Sequence, residues 1–69
     1  MLYSHPDMPK PWFQKRIRSL RVKLAMTQEQ FAHHIGVTTV TVNRWERGHT
    51  YPKGLSVVRL EKAEGELLS

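Results

Sequence analysis

The sequence predicts an all-α domain, a compact bundle of four or five short helices, and three observations carry that expectation. Apolar residues recur at spacings of three and four, and nothing alternates with period two. Threonines and glycines stand where helix starts and stops are chemically favoured. The 69 residues include no cysteine, so packed helices rather than disulfides or a thiolate zinc site must supply the stability.

The elements follow in order. Residues 1–11 hold Pro6, Pro9 and Pro11 without periodicity, which reads as an irregular arm ahead of a domain at 12–69. Pro11 suits the first turn of a helix, where a missing N–H matters least. From Trp12 to Leu24, the residues Phe13, Ile17, Leu20 and Leu24 share a face, while Lys15, Arg16, Arg18 and Lys23 fill the others. That is an amphipathic helix with a basic outer surface. Thr27 and Gln30 have capping-box spacing and open a second, short helix with Phe31, Ala32 and Ile35 on one side. Gly36 ends it, because glycine enters the left-handed region without a Cβ clash. Thr38 caps a third helix running to about Arg47, and Gly48 stops it. His49–Lys53 reads as a loop around Tyr51-Pro52. A last helix covers Leu55–Leu68, with Val57, Leu60, Ala63 and Leu67 as its apolar stripe and Val58 spare on another side.

Charge narrows the partners. Eleven Lys+Arg against six Asp+Glu give +5, which favours a polyanion, nucleic acid ahead of a membrane surface. No apolar run approaches the ~20 residues that cross a bilayer, and no signal-peptide pattern opens the sequence. A cytoplasmic, nucleoid-associated protein is the expectation. Catalysis has no support: there is no Gly-rich phosphate loop and no nucleophile elbow, and Glu61, Glu64 and Glu66 fit a solvated helix face. Neither an enzyme nor a cofactor is expected. His33 and His34 diverge by about 100° on a helix and have no spacing relation to His5 or His49, so no metal site is expected either. Trp12 and Phe13 fit a core or lid role better than a base-stacking platform. The Lys15–Lys23 charges suit a solvated face at least as well as phosphate contact, with Arg16 and Arg18 open to either.

The segment Gln28–Arg47 is the tightest pattern. Two short helices separated by Gly36-Val37-Thr38 form a helix-turn-helix at 28–47. Its geometry asks for apolar residues at Phe31, Ile35 and Val37, a small residue at Ala32, a turn at Gly36 and an inward pair at Val42 and Trp45. Turning about 100° per residue then puts Thr39, Val40, Asn43, Arg44 and Arg47 on the outer arc. Such an arc can read base edges: Arg pairs with guanine, Asn with adenine, and aliphatic methyls meet thymine. Val40 is the most telling member, since a β-branched aliphatic on a polar face has no packing reason to be there. Glu46 falls toward the inner side, where an unpaired carboxylate is costly, and Arg21 follows the Ile17/Leu20 face and can reach it.

The stretch Leu24–Gly48, LAMTQEQFAHHIGVTTVTVNRWERG, resembles the helix-turn-helix of phage-repressor-like (lambda-repressor-like, XRE-type) regulators, less sharply over Ile17–Leu60. TQEQFA at 27–32 and WERG at 45–48 are its most specific pieces. The resemblance implies a phosphate contact for Gln28, base contacts for Thr39, Val40, Asn43 and Arg44, and an ion pair between Arg21 and Glu46. Most members have a fifth helix, which this chain merges or omits. Lys53 stands where a capping Ser or Thr commonly opens the fourth helix, adding a cation near the nucleic acid.

The expected function is sequence-specific binding of double-stranded DNA by a transcriptional regulator, a repressor, with helix 39–47 in the major groove. Thr38, Arg47 and Lys53 join Gln28 on phosphates. A homodimer on a palindromic operator is expected, because one module buries too little surface for high specificity. The rival is an antitoxin-like or adaptor module binding a partner protein through the arm and last helix. RNA is a weaker option, since no aromatic pair lies on the basic arc.

Overall fold

The computed structural model describes residues 10–68, with side chains described at 13–67. Four helices follow one another: α1 (Lys10–Lys23), α2 (Gln28–Ile35), α3 (Thr39–Arg47) and α4 (Leu55–Leu68). No strand occurs among the described residues. Residues 1–9 of the expected arm and the Trp12 side chain lie outside them.

α1 opens at Lys10, two residues ahead of the expected start, so Pro11 lies within its first turn. There the fixed proline φ is already helical and the absent N–H is one that no intrahelical carbonyl would accept. α1 also stops one residue early. The Ala25 N–H donates to the Val22 carbonyl at 2.9 Å and the Met26 N–H to the Arg21 carbonyl at 3.1 Å, with Ala25 at φ 59°. These paired bonds are a left-handed helix stop that glycine usually occupies. A Cβ there costs about 1–2 kcal/mol.

The next four boundaries fall where the threonines and glycines put them. The Gln30 N–H donates to Thr27 Oγ1 at 3.1 Å, and the Thr27 N–H donates to Gln30 Oε1 at 2.9 Å, completing the capping box of α2. Gly36 closes α2 at φ 90°. Thr38 Oγ1 accepts from the Thr41 N–H at 3.1 Å to start α3, and Gly48 ends it at φ 78°.

Each helix contributes to one core. Phe13, Ile17 and Leu20 from α1 meet Phe31, Ala32 and Ile35 from α2, Val42 and Trp45 from α3, and Leu60 and Ala63 from α4, all buried. α3 packs on α2 and α1, while α4 packs across α1 and α2. A fully buried aliphatic or aromatic side chain is worth about 1.5–3 kcal/mol over leaving it exposed, so these residues carry most of the stability. Truncating Phe31 to alanine would cost about 3–5 kcal/mol through the cavity it leaves.

Two expectations need correction. Leu67 is 39% exposed, because the last turn of α4 faces an open groove shared with Arg16, Ser19, Leu20, Lys23 and Glu64 rather than the closed core. Pro52 lies in the expected loop and is also fully buried. Glu64 and Glu66 are not simply solvated. The Arg16 guanidinium donates to Glu64 at 2.6 Å through both Nε and Nη2, and His34 Nε2 lies 3.0 Å from Glu66 Oε1. Those contacts tie α4 to α1 and to α2.

Candidate nucleic-acid interface

The rotation of α3 about its own axis is fixed by Val42 and Trp45, three residues apart and both buried. Rotation decides what α3 offers to solvent. Thr39, Val40, Arg44 and Arg47 are exposed, whereas Asn43 is half-buried. Val40 is 60% exposed, so it takes no part in the core. The outer arc therefore combines an aliphatic group, a hydroxyl, an amide and two guanidinium groups, with no carboxylate among them.

The tilt of α3 is set from its inner side. Arg21 Nε donates to Glu46 Oε2 at 2.6 Å and Arg21 Nη2 to Glu46 Oε1 at 3.0 Å, a bidentate pair that joins α1 to α3. Hydrogen bonding to Glu46 raises the Arg21 guanidinium above its ordinary pKa against the opposing effect of burial, so the charge persists. A further Arg21 donor, Nη1, reaches the Met26 carbonyl at 3.1 Å, holding the α1–α2 turn against the same pair. The backbone of Glu46 is also held from α1: Gln14 Nε2 donates to the Glu46 carbonyl at 3.4 Å.

Gln28 stands at the first position of α2, against α3. Its Nε2 donates to Glu46 Oε1 at 3.2 Å, and its Oε1 accepts from Asn43 Nδ2 at 3.4 Å. Gln28, Asn43, Glu46 and Arg21 are thus one connected polar group. Thr38 is exposed and doubles as the α3 cap, its hydroxyl 2.9 Å from that of Thr41. Lys53 is also exposed, in the loop before α4, with Nζ 5.6 Å from the centroid of the Tyr51 ring.

The basic residues divide into two sets. Arg16 is held by Glu64, whose hydrogen bonds raise its pKa, and Arg21 is held by Glu46. Arg59 Nη1 donates to the Ile35 carbonyl at 3.1 Å, satisfying the end of α2. Arg44 and Arg47, by contrast, form no ion pair among the described residues. Sequence reasoning missed Gln14 and Arg59 because a long polar side chain reaching a distant carbonyl leaves no spacing signal. Neither open groove along α4 is lined by any residue of the α3 arc. No described helix is long and apolar enough to cross a membrane.

Comparison with known proteins bears on the same segment. A family model described as helix-turn-helix matches residues 17–63. The chain is similar to Repressor protein C2 of Salmonella phage P22, 39% identical over 49 residues, which make up 71% of this chain and 23% of that protein. The chain thus corresponds to under a quarter of that relative's length. No solved structure matches it.

Proposed function

The chain belongs to the phage-repressor-like helix-turn-helix family, and we propose that it regulates transcription by binding double-stranded DNA in a sequence-specific way, as a repressor. The carrying observation is the arc of α3, where Val40, Arg44 and Arg47 stay in solvent while Val42 and Trp45 lock the helix from behind. In this reading the binding unit is the domain at 12–69, with 28–47 as the helix-turn-helix proper.

α3 enters the major groove with Thr39, Val40, Asn43 and Arg44 toward the base edges. Arg44 has the donor fork to pair with guanine O6 and N7, and Val40 has the methyls to meet thymine. Gln28, Thr38, Arg47 and Lys53 flank that strip and hold phosphates, fixing register without reading sequence. Arg44 and Arg47 are available for this because no carboxylate among the described residues takes their charge. One such module buries too little surface for high specificity, so two copies share a two-fold operator with half-sites about one helical turn apart. Val58, 58% exposed on α4, is the contact we assign to that dimer.

The test is selection of bound duplexes from a random pool, followed by affinity measured against salt. The reading expects a two-fold symmetric consensus and a log–log salt slope set by the number of phosphates neutralised. Failure to enrich any sequence would overturn it, as would affinity indifferent to salt.

A further inference from the structure

Resting on the DNA-binding reading above, we propose that the polar chain Arg21–Glu46–Gln28–Asn43 fixes the orientation of the Asn43 amide, making Asn43 an adenine-selecting residue and Gln28 the residue that positions it.

The argument is one of hydrogen-bond polarity. The Glu46 carboxylate accepts from Arg21 through both oxygens and offers only acceptors to its neighbours. Gln28 must therefore turn its amide nitrogen toward Glu46, as it does at 3.2 Å. That leaves the Gln28 carbonyl oxygen facing α3, and a carbonyl oxygen also only accepts. Asn43 must then present Nδ2, the contact at 3.4 Å. The flipped Asn43 amide would set two carbonyl oxygens against each other. A charge on α1 thus dictates, through two amides, which way a side chain on α3 faces.

The consequence lies in what Asn43 has left. One Nδ2 hydrogen is used on Gln28, while the second hydrogen and Oδ1 have no partner among the described residues. An acceptor beside a donor complements the N6–H and N7 of adenine in the major groove. Guanine offers two acceptors there and would place O6 against Oδ1. Gln28 likewise keeps one Nε2 hydrogen, which is free for a phosphate, so the positioning role and the backbone role coexist.

Two measurements on the full chain test this. Without DNA, the Asn43 side-chain amide protons should exchange with water more slowly in the native chain than in Gln28→Met; equal exchange would overturn the relay. In duplex selections, the base position whose preference disappears in Asn43→Ala marks the position Asn43 reads. Adenine should be favoured there over guanine by about tenfold or more. Gln28→Met should erase most of that preference and leave the other positions intact. Gln28→Lys, which keeps a donor for Glu46 but offers Asn43 no acceptor, should do the same. Guanine at that position, or an unchanged adenine preference in both Gln28 variants, would overturn the proposal. A native chain that selects no sequence at all would instead sink the DNA-binding reading itself.

Discussion

Arg21 and Glu46 meet edge to edge, 25 residues apart in sequence, with their side chains only 16% and 7% exposed. The pair is a polar fastening between the first helix and the third. A partly buried ion pair adds little net stability over a well-packed apolar pair, but each ion alone is costly to keep out of water.

Glu46→Ala should therefore unfold the domain or lower its stability by about 3–5 kcal/mol, as read by thermal melting. The raised guanidinium pKa sets the sign of any pH effect. The contribution from Arg21 is complete at every pH below the ordinary guanidinium range and is lost only as pH climbs through the raised value. A melting temperature unmoved by Glu46→Ala would contradict the structural role.

Ala25→Gly should stabilise the chain. Ala25 holds φ 59° at the stop after α1, and glycine removes the Cβ clash of that conformation at the cost of a more flexible unfolded chain. A net gain of about 0.5–1 kcal/mol, several degrees in melting temperature, is the expected outcome.

The glycines should respond to alanine with opposite signs. At Gly48, with φ 78°, a Cβ would sit 2.6 Å from Gln14 Nε2, displacing the side chain that bonds the Glu46 carbonyl. Gly48→Ala should cost about 1–3 kcal/mol. Gly65 lies inside α4 with open space where its Cβ would be, so Gly65→Ala should gain about 0.5–1 kcal/mol. Denaturant midpoints for the two variants shifting in the same direction would refute this ordering.

On DNA, Arg44→Ala should cost about 1–3 kcal/mol at the selected site and much less on random duplex, because a base contact is lost. Arg47→Ala should weaken both alike and reduce the salt slope by about 1, since a phosphate contact carries no sequence information. Titrations of both variants on both duplexes over a salt series separate the two roles. Equal losses for Arg44→Ala on either duplex would remove it from the base-reading set.

Local chemistry was legible in the sequence because it acts over a few residues. Thr27 with Gln30, Thr38, Gly36 and Gly48 set the helix ends through bonds that span four positions or fewer, and Val42 with Trp45 showed which side of α3 turns inward. The Arg21–Glu46 contact was also within reach, since a carboxylate on an inward face demands a cation. Tertiary structure alone decided the rest. Arg16 turned to Glu64, Arg59 to the Ile35 carbonyl and Gln14 to that of Glu46, because a long flexible side chain bonds whatever acceptor the packing brings near. Ala25 became a helix stop without a glycine to announce it, since the chain must turn there to bring α2 onto α3 and α4, which both pack on α1. The linkage of Gln28 to Asn43 belongs to the same class: periodicity assigns each residue a face, but only the crossing of α2 and α3 puts two amides within bonding distance.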